Sequence, residues 1–104
     1  MKFQVTIVGH GAEALEFLND SDNSFFILFN ENAPEELAEI SVLHTISAVY
    51  KEPAPGDTMK IGDKEFKITA VGVEVPDTLR ELGHCTVNFG GGEEAALPGC
   101  IMLK

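Results

Sequence analysis

The sequence predicts a mainly β, single-domain fold: a small barrel or sandwich with two or three short helical turns. Six or seven short stretches are rich in apolar residues that alternate with polar ones or run continuously, as in strands. Glycine, proline, asparagine and aspartate separate these stretches at short intervals, which is typical of small barrels and sandwiches. The length of 104 residues is near the commonest size of one domain.

In the first half of the chain we expect three strands and two helical turns. The strands are predicted at residues 2–8, 25–29 and 40–50. The "GHG" at 9–11 should end the first strand, and residues 12–18 have apolar residues at helical spacing. Pro34 suits the first position of a helix, with Glu35 and Glu36 in the first turn, where the helix dipole favours acidic side chains.

In the second half we expect a linker, a hairpin, a helix and two further strands. Residues 51–58, with two prolines, form a stiff linker, and the hairpin turns at Gly62 and Asp63. Pro76 begins a short helix, and Gly83 ends it as a left-handed cap. The last strands are predicted at 84–89 and 100–103, on either side of a glycine-rich loop.

The charge of the chain restricts its partners. Seventeen acidic residues face seven basic ones, a formal net charge of −10. Nucleic acid is excluded because phosphate binding needs a basic surface. We expect repulsion from anionic membranes and attraction to a basic patch on a partner protein; alternatively, the charge serves solubility alone. No apolar run is long enough to enter a membrane, and the N-terminus does not resemble a signal peptide. With two cysteines and no disulfide framework, we expect a cytoplasmic protein with reduced thiols.

The spacing of histidines and cysteines does not indicate a metal site. The candidate ligands are His10, His44, His84, Cys85 and Cys100. No pair has the CxxC or HxxxH spacing, so a site would require distant segments to meet. Both cysteines lie in apolar strands and are expected in the core. The "GGG" at 90–92 lacks the context of a phosphate-binding loop, and no serine sits in a GxSxG elbow.

His44 lies on the apolar face of the third predicted strand, together with Val42 and Ile46. A histidine in that place is a hydrogen-bonded core residue, a metal ligand or a nucleophile in a dry pocket, and the residues alone leave the three open. His84, at the start of a strand, is either a polar strand residue or part of a site. His10, between two glycines, is most simply a turn residue.

Four segments carry a resemblance to a known family: "APEELAE" followed by "VLH", "PGDTMKIGDKEFKITAVG", "TLRELGHCTVNFGG" and "LPG". Their order resembles the glucitol/sorbitol-specific enzyme IIA component of the bacterial phosphoenolpyruvate-dependent sugar phosphotransferase system. The most specific block is "ITAVG" followed by "LRELGH" and "TVNF", and the likeness runs from about residue 3 to residue 99. Members of the family continue beyond the "PG" with a further strand segment. We therefore expect residues 1–104 to form one domain, short at its C-terminus relative to the family.

The resemblance implies a phosphoryl carrier that works through a phosphohistidine. The histidine that follows the "AP" turn and its helix corresponds to His44, which is implied as the nucleophile. The histidine after "LRELG" corresponds to His84, implied as a neighbour that stabilises the phosphoryl group. Thr45 and Ser47 are candidates for supporting roles, whereas Arg80, on a short exposed helix, is expected to have a surface role.

The resemblance also implies the partners. The donor would be the phosphorylated histidine carrier protein, and the acceptor a cysteine in the enzyme IIB unit of a sorbitol transporter with IIB and IIC units. A second copy of the chain is a further candidate partner, since a partner chain could supply a missing sheet edge. No metal or organic cofactor is required.

The chemistry gives the apolar surroundings of His44 a function. An imidazole nitrogen is nucleophilic near pH 7 and releases the phosphoryl group again. Water must be excluded so that the phosphohistidine is not hydrolysed, and Val42 and Ile46 are expected to wall such a dry pocket. Two alternatives remain: a degenerate relative with a regulatory role and no phosphoryl transfer, or a small-ligand-binding barrel in which His44 closes the pocket.

Overall fold

The protein is a curled sheet of seven strands that forms a half-barrel, with two short α-helices, in the computed structural model of residues 3–19, 24–46, 51–92 and 94–104. The strands are β1 Ile7–His10, β2 Phe25–Asn30, β3 Val42–His44, β4 Thr58–Ile61, β5 Lys64–Val71, β6 Cys85–Asn88 and β7 Cys100–Leu103. The helices are α1 Glu35–Ala38 and α2 Val75–Leu82, and a 3₁₀ turn spans Glu16–Asn19. The predicted mainly β fold with a few short helical turns is confirmed.

The sheet is mixed, with the strand order β1-β3-β2-β6-β7-β5-β4. The pairs β2–β3 and β6–β7 are parallel, and the other neighbouring strands are antiparallel. Each parallel pair is joined by a connection that contains a turn or loop and, between β2 and β3, the helix α1. This topology places the ends of β2 and β3 beside the start of β6, where the site lies.

One face of the sheet, called here the inner face, carries the main core. Residues opposite one another in register share a face, so Leu28 on β2 lies with Val42 on β3 and with Cys85 on β6. The buried core residues are Phe26, Leu28, Ile68, Val75, Leu79, Cys85, Val87, Ile101 and Leu103. A smaller buried cluster of Ala70, Cys100 and Met102 lies apart from it. The continuous apolar run of β2 and the alternation of apolar residues along β6 therefore both place residues of the observed core.

The N-terminal strand differs from its prediction. The strand begins at Ile7 and continues to His10, whereas residues 2–8 were expected, and Phe3 makes only an isolated bridge. Gly9 does not end the strand but pairs with Leu43, next to a register irregularity. Ile7 is 54% exposed because β1 is an edge strand paired only with β3, so it gains little burial. Within residues 12–18, a short 3₁₀ turn starting at Glu16 replaces the predicted helical turns.

The strand that carries His44 is shorter than predicted. It spans Val42–His44, whereas residues 40–50 were expected, and residues 47–50 lie outside the described part of the chain. Its start is delayed because the end of α1 still uses the backbone: the amide of Ile40 donates to Leu37 and that of Ser41 donates to Ala38. Pro34 itself is the N-cap of α1, one position before the predicted place.

The second half of the chain agrees with its prediction more closely. The hairpin of β4 and β5 turns at Gly62, whose φ is +63°, a left-handed value that glycine adopts without strain. Helix α2 begins at Val75, with a proline in its first turn, and ends at the left-handed Gly83. Strands β6 and β7 form within one residue of the predicted ends. No α-helix in the described ranges has both the length and the apolar character that a membrane span requires.

Candidate functional site

His44 is the last residue of β3 and is fully buried. Its partner in the parallel β2–β3 register is Asn30, which puts both side chains on the inner face. The ring of Phe3 meets the imidazole edge-on, with 5.9 Å between the ring centroids. The main chain also fixes the position, because the amide of Glu31 donates to the carbonyl of His44 at 2.7 Å. His44 is therefore a buried imidazole at the end of a strand.

Both ring nitrogens of His44 lie against carbonyl oxygens. Nδ1 is 2.7 Å from the carbonyl oxygen of Thr45, and Nε2 is 2.8 Å from that of Gly83. A neutral imidazole has a single N–H, so it can donate to only one of the two. The other nitrogen then holds its lone pair next to an oxygen. The ring is fixed in place, and its nucleophilic nitrogen is covered by main chain.

Gly83 comes close to His44 because it has no side chain. It ends α2 in the left-handed conformation, and its amide donates to Leu79. A Cβ at this position would lie 2.0 Å from Oδ1 of Asn30 and 2.7 Å from Cε1 of His44. Both separations are far below van der Waals contact. The glycine is thus required twice, once for its φ and once for its approach to the imidazole.

His84, the second histidine implied by the resemblance, lies on the other face of the sheet. Its Nδ1 donates to the carbonyl of Leu28 at 3.0 Å, and its ring stacks at a tilt on Phe29 with 4.7 Å between centroids. Phe29 and Asn30 are neighbours on β2, so their side chains point to opposite faces. His84 therefore shares the face of Phe29, and His44 shares the face of Asn30. His84 is half-buried.

The rings of His44 and His84 are not in direct contact, because they lie on opposite faces of the sheet. Their structural link is the Gly83–His84 step, in which the carbonyl of Gly83 contacts His44 and the next residue turns to the opposite face. The role of His84 as a phosphoryl stabiliser remains a prediction. It would require His84 to reach the phosphoryl group around the ends of the strands.

The other predicted supporting residues are placed as follows. The Oγ1 of Thr45 accepts from the amide of Thr6 at 3.0 Å, so this hydroxyl ties β3 to the N-terminal segment. Ser47 lies outside the described residues. Val42 is half-buried and packs against the main core. Ile46 was expected to wall the pocket and does not, since it is 63% exposed beyond the end of β3.

The remaining polar and thiol candidates lie elsewhere. His10 is exposed, with Nδ1 against the carbonyl of Gly11. Arg80 is on the surface, where it pairs with Asp77 at 3.2 Å. Burial raises the pKa of the Cys85 thiol from 9.0 to about 12, and the charge of Cys100 adds to the rise. The predicted core placement of both cysteines is observed. Among the described residues, no three His, Cys, Asp or Glu side chains come together as metal ligands would.

Two site residues were not identified from the sequence. Asn30 ends an apolar run, and a polar residue at the end of a buried strand was the available signal. Gly83 was predicted only as a helix cap, because its contact with His44 joins residues 39 positions apart. Both become visible only when the register of β2, β3 and β6 is known.

Comparison with known proteins identifies the family of the chain. Residues 2–104 match the family described as "PTS system glucitol/sorbitol-specific IIA component". The chain is 37% identical over 99 residues to the glucitol/sorbitol-specific EIIA component of Escherichia coli K12, covering 95% of this chain and 78% of that protein. The protein of the same name from Shigella flexneri matches to the same extent.

A solved structure shares the fold. The crystal structure of a PTS system IIA component from Enterococcus faecalis V583 superposes with a TM-score of 0.76 at 26% identity, covering 96% of this chain and 84% of that one. Both the sequence match and the fold extend over nearly all of the chain. The chain therefore belongs to the glucitol/sorbitol-specific IIA component family of the phosphotransferase system.

Proposed function

We propose that His44 carries the phosphoryl group in this enzyme IIA component, a phosphoryl carrier of the glucitol/sorbitol phosphotransferase system. The observation that supports the proposal is a buried imidazole whose two nitrogens each lie within hydrogen-bond distance of a main-chain carbonyl oxygen. Such a ring is held in one orientation and kept from water, as a carrier of a hydrolysable N–P bond must be.

The transfer step forms one bond to phosphorus and breaks another. The unprotonated nitrogen of the neutral His44 ring attacks phosphorus, a new N–P bond forms, and the N–P bond of the donor histidine breaks. The other ring nitrogen keeps its proton. In the onward step a cysteine thiolate of the enzyme IIB unit attacks the same phosphorus, an S–P bond forms, and the N–P bond to His44 breaks, which returns the lone pair to the ring nitrogen. Positioning and electrostatics supply most of the catalysis in such transfers.

Phosphoryl transfer requires one ring nitrogen of His44 to become accessible to the donor. Its two nitrogens are 2.7 and 2.8 Å from carbonyl oxygens, and the residue has no exposed surface. One of these contacts must open before phosphorus can approach in line. We propose that docking of the donor opens it, which also confines the reactive state to the complex.

The partners follow from the family. An enzyme IIA component exchanges phosphoryl groups with the histidine carrier protein and an enzyme IIB unit. We propose in addition that the acceptor belongs to a sorbitol transporter with IIB and IIC units. A basic patch on the partners would suit the net charge of −10. The supporting roles of His84, Thr45 and Ser47, and a homodimer, stay predictions.

The test is whether a phosphate becomes covalently attached to His44. Phosphoenolpyruvate and the two general proteins of the system should add one phosphate to the wild-type chain, stable in alkali and labile in acid. Peptide mapping should locate it on His44. His44→Gln should remove it, since glutamine keeps polarity and approximate volume without a nucleophilic nitrogen. The matched control is His10→Gln, at an exposed histidine, which should be phosphorylated like wild type.

Two results would overturn the proposal. Phosphate on a residue other than His44 would assign the carrier role elsewhere. No phosphate with a competent donor, in a chain shown to be folded by circular dichroism, would favour the alternative of a relative that has a regulatory role without transfer.

A further inference from the structure

We propose that the side-chain amide of Asn30 binds the phosphoryl group once it is on His44. This inference rests on the proposed function of His44. It concerns a residue that neither gives nor receives the phosphoryl group but would contact its oxygens through the N–H donors of Nδ2, both while the N–P bond forms and afterwards.

The placement of Asn30 is the first argument. Asn30 and His44 are register partners at the ends of the parallel strands β2 and β3, so their side chains stand next to each other on the inner face. A Cβ placed on Gly83 would lie 2.0 Å from Oδ1 of Asn30 and 2.7 Å from Cε1 of His44, so these two atoms lie close to each other beside the same glycine. Cε1 is the ring carbon bonded to both nitrogens. The amide therefore lies beside the edge of the ring where a phosphoryl group would be attached.

The lack of a partner is the second argument. Asn30 is 8% exposed, yet its side chain forms no hydrogen bond within the described part of the chain. No fully inaccessible side-chain nitrogen or oxygen there lacks a partner, so the amide atoms of Asn30 keep a narrow opening to solvent. Buried amides are normally paired. An amide that is nearly buried, unpaired and reachable from outside is available to an incoming ligand.

The chemistry of the group is the third argument. A phosphoryl group has three acceptor oxygens, and the Asn30 amide offers two N–H donors. The side chain of Arg80, the only arginine of the chain, is engaged on the surface with Asp77 and Glu81. A neutral donor suits a carrier, because it stabilises the phosphoryl oxygens without holding the group so tightly that onward transfer stops. A rotation of the amide by 180° exchanges Oδ1 and Nδ2, which brings a donor to the ring edge.

The test uses the full chain with Asn30→Asp, Asn30→Ala and a matched control. Aspartate keeps the shape but replaces the donors with a charge that repels the phosphoryl group. The control is Asn88→Asp, at an asparagine that is 5% exposed, because its Oδ1 accepts from the amide of Gly90 and a carboxylate can do the same. The rate of phosphorylation by the phosphorylated histidine carrier protein is measured for each. A ¹⁵N–¹H spectrum of the wild type follows the Asn30 side-chain amide as His44 is phosphorylated.

We expect Asn30→Ala to slow phosphorylation about 10- to 100-fold, the scale of one charge-assisted hydrogen bond, and Asn30→Asp to slow it further. Asn88→Asp should stay within about threefold of wild type, and the Asn30 amide resonances should shift on phosphorylation. Wild-type rates in both Asn30 variants, or unmoved amide resonances, overturn the inference while His44 remains the carrier. If the wild type is not phosphorylated on His44, the proposed function and this inference fail together. If Asn30→Asp does not fold, the phosphorylation rate of Asn30→Ala and the spectrum of the wild type test the inference.

Discussion

The carbonyl oxygen of Gly83 lies 2.8 Å from Nε2 of His44, although the two residues are 39 positions apart. This contact joins the end of α2 to the end of β3. The left-handed turn after α2 therefore also forms one side of the site around His44. The geometry of that turn and the state of the imidazole are therefore expected to respond to the same substitutions.

Gly83→Ala should destabilise the protein more than its backbone conformation alone requires. The left-handed φ of +63° costs an alanine about 1–2 kcal/mol. The new Cβ would also strike Asn30 and His44, and such overpacking adds about 1–3 kcal/mol. Urea unfolding measures the loss. The control is Gly62→Ala, which has the same φ of +63° and nothing within 4 Å of its Cβ. Equal losses at the two glycines would show that the site around Gly83 relaxes without cost.

His84→Gln should leave His44 phosphorylatable. The ring of His84 lies on the face of Phe29, away from His44, and its Nδ1 donates to Leu28. If His84 stabilises the phosphoryl group, onward transfer to the enzyme IIB unit should slow by at most about 10²–10³-fold. The placement on opposite faces favours the lower end of that range. Single-turnover transfer from the phosphorylated chain measures it, and an onward rate within twofold of wild type would remove His84 from the transfer chemistry.

Association with the histidine carrier protein should slow as salt rises. The chain has a net charge of −10, and long-range attraction to a basic patch is screened when the Debye length falls from about 30 Å at 0.01 M to about 8 Å at 0.15 M. Stopped-flow association at several ionic strengths gives the dependence. A rate constant that does not change across that range would show that the acidic surface serves solubility alone.

The Cys85 thiol should make the fold sensitive to alkali. Its pKa is raised to about 12 in the folded chain from an ordinary 9.0, so the unfolded chain loses the proton first as the pH rises. The free energy of unfolding should then fall above about pH 9, by about 1.4 kcal/mol per pH unit from this group. This fall ends only near pH 12, where the folded chain also loses the thiol proton. Urea unfolding between about pH 8 and about pH 10 measures the slope.

The control for the thiol is Cys85→Ala, compared by slope and not by absolute stability, because the smaller side chain leaves a cavity at every pH. Removing the thiol should flatten the decline. The same slope in wild type and variant would contradict the assignment to Cys85 and leave the decline to other groups.

Local signals in the sequence predicted the elements that depend on local chemistry. Gly62 marks the hairpin turn, and Pro76 with Gly83 marks the ends of α2. In each case the residue type itself restricts the backbone. The same holds for the continuous apolar run that forms β2, where burial on a sheet requires such residues. The family resemblance selected His44 on the order of motifs along the chain.

The site itself was decided by tertiary structure. The length of β3 was misjudged because alternation beyond His44 does not reveal that Ile46 has no neighbouring strand to cover it. The meeting of Asn30, His44 and Gly83 depends on the register of β2 against β3 and on the path of the chain from α2 into β6. These are contacts between residues far apart in sequence, and no local preference encodes which of them meet. The sequence by itself determined which residues can form strands, turns and a nucleophile, whereas packing of the sheet decided which carbonyls and which amide surround that nucleophile.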